Sequence, residues 1–189
     1  MRRDHGFTLV ELLVVLVLTG ILASALQLSI SSTVQWGDSV QEHSVLHTEA
    51  RSALDRLAAD LRQAYSGSSV SPIETMTPTV LTFDSPDRAT PFHLRRITYR
   101  LASGELDRAV AVSTNTNGPP WTYGPQGPWT DQVGSIVVST IFTYFDANGA
   151  ATATPAAVRS VGLAVGVATP QAPSRVFAYT TNVTLRETQ

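Results

Sequence analysis

One apolar run near the start of the chain limits the fold more than anything else in it. From Phe7 to about Ile30 the residues are dominated by Leu, Val, Ile and Ala, after a short polar head at residues 1–6. About 20 apolar residues cross the roughly 30 Å hydrocarbon core of a bilayer as a helix, so the run is long enough to span one. A single acid, Glu11, lies early in it. A carboxylate at mid-membrane costs about 2.5–3.5 kcal/mol on insertion scales and less near an end. A plain anchor gains nothing from such a residue, so Glu11 needs a partner.

No proline occurs between Phe7 and Ser71, and nothing forbids one helix from Phe7 to about Tyr65. Its second half changes character. Leu46, Ala50, Leu54, Leu57 and Leu61 draw one apolar stripe. The pairs Arg51–Asp55 and Arg56–Asp60, each one helical turn apart, are expected on the wet face away from it. The sequence therefore predicts a helix buried all round in its first part and amphipathic in its second, ended by Gly67 to Pro72.

Beyond it the pattern is that of strands. Thr79–Phe83 is short. Arg95–Leu101 alternates, turns at Ser103-Gly104 and returns as Leu106–Val112, the clearest hairpin in the chain. Ile136–Phe145 reads as one longer strand, followed by a turn at Asp146 to Gly149. In Val161–Ala168 the larger Val161, Leu163, Val165 and Val167 alternate with Gly162, Ala164, Gly166 and Ala168, a small-residue face suited to close approach of the helix. Phe177, Tyr179, Val183 and Leu185 mark a last strand. The fold expected is α+β: a long N-terminal helix, membrane-spanning in its inner half, packed by its outer half on an antiparallel sheet. The segments are residues 1–6 as leader, 7–30 as membrane and assembly helix, 31–65 as its amphipathic outer half, and 66–189 as a β-rich globular domain.

Composition removes several function classes. The chain has 189 residues, a net charge of −2 and 15% charged residues, which gives no broad electrostatic footprint for nucleic acid. Cysteine is absent, excluding disulfides, thiolate metal sites and cysteine nucleophiles. No Gly-x-Ser-x-Gly elbow, phosphate-cradling loop or convincing acid pair occurs. The reading is of a non-enzymatic protein with no cofactor and no metal.

The N-terminus fits an ordinary secretory signal poorly, because the apolar region is too long and holds Glu11, although Ala23-Ser24-Ala25 resembles a cleavage site. Gly6-Phe7-Thr8-Leu9-Val10-Glu11 followed by an apolar run instead closely resembles the class III signal of type IV prepilins and pseudopilins. The resemblance covers roughly the first 30 residues. It implies that a membrane-embedded peptidase cuts between Gly6 and Phe7, that Phe7 is N-methylated, and that Glu11 acts in assembly. The leader departs from the pattern in carrying Asp4 and His5. Physics supplies a reason for the arrangement: the new α-ammonium can meet the Glu of a neighbouring subunit in a low-dielectric filament core, where an unpaired charge is costly. The missing proline in the apolar half resembles minor pilins and pseudopilins. So, more loosely, do the hairpin Ile97–Arg108 and the segment Phe142 to Gly149, which point to the J-type pseudopilins. The partners implied are other pilin or pseudopilin subunits, a prepilin peptidase, an inner-membrane assembly platform and membrane lipid. The location implied is the bacterial inner membrane, single-pass with the globular domain extracytoplasmic, and then a type IV pilus or type II secretion pseudopilus.

Four internal segments are weighed as sites. Asp146-x-Asn148-Gly149 imitates the opening of a calcium loop, but no closing acid follows and the residues also suit a hairpin turn. His43 and His47 are one helical turn apart without a third ligand, and fit a solvated face better than zinc. The Pro/Gly-rich loop carrying Trp121, Tyr123 and Trp129 either offers a contact surface for a subunit, sugar or peptide, or pins itself to the sheet. Arg95, Arg96, Arg100 and Arg108 could form a hairpin face that touches DNA, as is suggested for some pilins in natural transformation; a solvated strand face is the commoner explanation. The rival to an assembly subunit is a membrane-anchored extracytoplasmic binding module that uses the Trp loop.

Overall fold

The computed structural model describes residues 9–65, 71–87, 90–116, 118–169 and 172–185, and the side chains of all of these except 28–43, 169, 172 and 173. The chain forms two compact units, Met1–His43 and Ser44–Gln189. Helix α1, Leu9–Arg62, begins in the first and ends in the second.

In the first unit the segment Leu9–Gln27 has a mean hydropathy of 2.6 and none of it is buried. Its large apolar side chains from Leu9 to Leu26 are between 49% and 82% exposed. A helix that is apolar all round and uncovered by its own chain is built for lipid or for other helices. Thr19 and Ser24 do not contradict this, because their hydroxyls each donate at 2.7 Å to the carbonyl one turn back, of Val15 and Gly20.

In the second unit α1 becomes one-sided. Ala50, Ala53, Leu54, Leu57, Ala58 and Leu61 are buried, while Arg51, Asp55 and Arg56 are exposed and Leu46 is half-buried. Two antiparallel sheets pack on this stripe, where the sequence suggested one. The first has the order β1-β2-β3-β4-β5, with β1 at Ile73–Met76, β2 at Val80–Asp87, β3 at His93–Ala102, β4 at Glu105–Val112 and β5 at Thr130–Val133. The second has the order β6-β7-β8, with β6 at Phe142–Phe145, β7 at Ser160–Thr169 and β8 at Ala172–Thr184. Leu81, Phe83, Ile97 and Tyr99 from the first sheet meet Phe142, Leu163 and Val165 from the second in one core with α1. Phe83 and Tyr99 lie nearly parallel, ring centroids 6.4 Å apart. The sheets meet at Pro78, whose carbonyl accepts from the amides of Ile141 and Phe142 at 2.9 and 3.1 Å. The Tyr144 hydroxyl donates to the Thr77 carbonyl at 2.8 Å, and burial raises its pKa.

The β3–β4 hairpin forms as the alternation predicts, with Ile97 opposite Val110 and Tyr99 opposite Arg108. Ser103 and Gly104, at φ 53° and 79°, make the two-residue turn whose backbone twist matches that of the strands.

Several expectations are corrected. Ile136–Phe145 is not one strand: Ile136 bridges Val167 while Phe142 pairs with Leu163, so this segment carries two residues more than the facing stretch of β7. The excess loops out around Val138, which lies over Gly166; a β-carbon there would come within 2.7 Å of it. The small-residue face of β7 does not receive the helix. It is Val161, Leu163, Val165 and Val167 that enter the core with α1, whereas Gly162 lies under Thr143 and Phe145 and Gly166 under Val138 and Val176. The larger faces win because the helix supplies apolar area to bury, and the glycines admit chain from the opposite side. The helix stops at Arg62, before Tyr65, followed by two tight turns in which Gln63 and Ala64 donate to Asp60 and Leu61. Gly67, expected to help end it, lies outside the described residues.

Asp60 is not on the wet face with Arg56. It stands at the margin of the buried stripe and turns to the sheet, accepting from the Tyr99 hydroxyl at 2.8 Å and from Arg108 Nε at 3.0 Å. The side chains of Arg108 and Asp60 are only 11% and 16% exposed. Burial first, and the Asp60 charge next, push the Tyr99 hydroxyl above its ordinary pKa. This cluster fastens α1 to β3 and β4.

Candidate functional site

The feature that composition cannot explain is the acid in the apolar helix. Glu11 lies in the first turn of α1 and is exposed, among Leu9, Val10, Leu12 and Leu13, which are exposed as well. Gly20 has nothing of its own chain within reach of a β-carbon beyond the helix itself, so that side of α1 is open too. The arrangement presents a carboxylate on an apolar rod of a length that crosses a membrane. A carboxylate in a dry setting is favoured beside a cation, where such a pair is strong. Gly6 and Phe7, the expected cleavage and methylation positions, lie outside the described residues.

Residues 1–26 match the model of the prokaryotic N-terminal methylation motif. No curated protein matches the chain. The N-terminus is therefore a type IV prepilin-like class III signal, and the chain is a prepilin-type substrate of a prepilin peptidase. With the apolar helix that follows, it fits a membrane-anchored pilin, and the α1-plus-antiparallel-sheet architecture is consistent with an α+β pilin-like fold.

The Trp loop lies against the outer face of β3 and β4. The amides of Gly124 and Gly127 donate to the carbonyls of Val112 and Val110 at 3.0 and 2.9 Å. A β-carbon on Gly127 would sit 3.0 Å from the Val110 carbonyl, so a larger residue would have to push the loop a few tenths of an ångström off β4. The Arg96 guanidinium stacks 4.1 Å from the centroid of Tyr123, and that of Arg100 lies 3.7 Å from Trp129. Trp121 meets Phe92 edge to face at 5.9 Å, and Gly118 is pressed to its ring. Beneath the loop Leu94, Ala109 and Ala111 are buried, a satellite core separate from the main one. All three rings are thus engaged within the chain.

The loop contacts engage two of the four arginines, Arg96 and Arg100. Arg96 holds Asp84 with two bonds of 2.9 and 3.1 Å and reaches Glu74 at 3.4 Å. Its hydrogen bond with Asp84 is the main cause of a raised pKa. Arg100 pairs with Asp107 at 2.9 Å, and Arg108 with Asp60. Arg95 donates to the Pro86 carbonyl at 3.3 Å. The four do not make one basic face: Arg96 and Arg100 lie under the loop, while Arg108 turns to the helix.

The Asp146 turn uses its carboxylate on its own backbone, with Oδ1 accepting from the amides of Asn148 and Ala150 at 2.8 and 2.9 Å. Gly149 supplies the positive φ of 76°. His47 does not stand on a solvated face: it is half-buried, its ring edge-on to Phe177 at 4.5 Å and Tyr179 at 5.6 Å. The β8 aromatics reach across to this turn of α1, which sequence spacing gave no means of seeing. The side chain of His43 lies outside those described. Sequence reasoning also missed a group of carboxylates, Glu105, Asp107 and Asp131, whose oxygens lie within 4.8 Å of one another. Asp107 faces Asp131 across the β4–β5 ladder, a juxtaposition invisible while β5 was unrecognised.

Proposed function

We propose that this chain is a structural, non-enzymatic filament subunit of the minor pilin or J-type pseudopilin kind. It is cut between Gly6 and Phe7, methylated on Phe7, and carried from the inner membrane into a type IV pilus or type II secretion pseudopilus. The observation that supports this most is the methylation motif over residues 1–26 set on a helix whose apolar surface its own chain leaves uncovered. A signal alone would serve for delivery; an uncovered helix bearing one acid serves for docking. The Phe7 ammonium of one subunit would meet Glu11 of another, so that the acid lowers the energy only in correct register. The domain of residues 44–189 is the cargo that this handle places on the filament. The rival reading, a tethered binding module, draws no support from the Trp loop, since its three rings are held by Arg96, Arg100 and Phe92.

The test is Glu11→Ala in the producing cell. Membrane insertion is expected to persist, because the change makes the segment more apolar, while incorporation into filaments is lost. Filaments that take up the variant at the unsubstituted level would refute the role given to Glu11.

A further inference from the structure

The sheet edges are treated unequally. β1 and β5, which end the first sheet, have 4 residues each. At β6 the outward backbone groups are taken: the Phe142 amide by Pro78, the Tyr144 carbonyl by Thr152 and the Asp146 amide by Ala150. β8, with 13 residues, ends the second sheet and pairs with β7 alone.

Which of its groups face outward follows from the register. Even-numbered β7 residues bond away from β8, since Ala164 donates to Ile141 and Gly166 accepts from Val137. Odd-numbered β7 residues therefore bond to their β8 partners, as Leu163 with Thr181 and Val165 with Tyr179. Ala178, Thr180, Asn182 and Thr184 are left with amide and carbonyl directed off the sheet, and among the described residues nothing takes them. The usual protections are missing here. No charge occurs from Val176 to Leu185, no proline follows Pro173, and the register irregularity lies back at Val167/Thr169. A long edge with no charge or proline along it is a template for another strand.

We infer that β8 is a strand-addition edge, filled by an extended segment of the adjacent pilin-like subunit in the filament; this rests on the function proposed above. The edge adjoins the outer half of α1, with His47 against Phe177 and Tyr179, and Arg51 and Asp55 lining a groove of about 240 Å³ with Thr180 and Thr181. A two-fold pairing of β8 with itself would close a dimer and leave no β8 edge for a further subunit. The addition is head to tail, the kind that propagates instead of closing.

Amide exchange in the full-length chain tests this at single-residue level. In detergent-solubilised monomer, protection along β8 alternates: Tyr179, Thr181 and Val183 slow, Ala178, Thr180 and Asn182 fast. In isolated filaments the fast amides are expected to slow about tenfold or more, giving continuous protection. Thr180→Pro, which deletes one outward amide and leaves the β7 ladder intact, is expected to melt like the parent and to incorporate at least tenfold less. Filaments in which β8 protection still alternates overturn the inference alone, as does normal incorporation of Thr180→Pro. A chain that never enters filaments overturns the proposed function and this inference with it.

Discussion

Removing the carboxylate of Asp60 should cost the second unit a large part of its stability. In Asp60→Ala the Tyr99 hydroxyl loses its acceptor, now at 2.8 Å, and Arg108 Nε loses its carboxylate, at 3.0 Å, and keeps only the neutral Tyr99 oxygen at 3.1 Å. Arg108 cannot shed its charge and its side chain is only 11% exposed, so water recovers little of the loss. Breaking one partner of a buried pair costs about 3–5 kcal/mol; with Asp60 itself 16% exposed, about 3 kcal/mol is expected. Against a total of about 5–15 kcal/mol for a typical domain, that is a large fraction. The assay is urea unfolding of the full chain in detergent, followed by tryptophan fluorescence and read at constant m-value. Asp60→Leu with Arg108→Met and Tyr99→Phe removes all three polar groups at once and should return to within about 1.5 kcal/mol of the parent, since apolar replacement of a buried pair is often neutral. A loss below about 1 kcal/mol for Asp60→Ala would refute the claim that this cluster fastens helix to sheet.

Two further outcomes follow from the same core. Leu57→Ala, at a position with no exposure, should cost about 2–5 kcal/mol in the same assay; exposed Arg56→Ala one residue away should stay within about 0.5 kcal/mol. Tyr99 has a raised pKa in the folded chain, from burial and then from Asp60, so its contribution is complete below the unfolded tyrosine pKa of about 10 and is lost as pH rises beyond it. Stability measured from pH 9 upward should fall above about pH 10, with Tyr99 giving about 1.4 kcal/mol per pH unit, and Tyr99→Phe should fall less steeply. An equal fall in both would contradict the assignment.

The parts legible in the sequence are those where one periodicity repeats long enough. Leu54, Leu57 and Leu61 announce a buried helix face, and the alternation around Ile97 and Tyr99 with a Ser103-Gly104 turn gives the hairpin its register. β1 and β5 escape notice because Ile-Glu-Thr-Met and Thr-Asp-Gln-Val are too short and polar to carry a pattern; their pairing is supplied by β2 and β4. Ile136–Phe145 misleads because apolar residues continue through a looped-out segment, and period alone does not register two extra residues. Asp60 and His47 show the other limit. Helical spacing places them correctly on α1, yet their partners Tyr99, Arg108 and Phe177 come from strands far along the chain. The N-terminal segment is the reverse case, since its meaning lies in covalent spacing, which a sequence displays directly.

That spacing is also where the account is most exposed. Mass spectrometry of the N-terminus of the chain recovered from its producing cell tests it in one step. The mature chain is expected to start at Phe7 and to carry one methyl group on its α-nitrogen. A chain still beginning at Met1, or one beginning after Ala25, would contradict it.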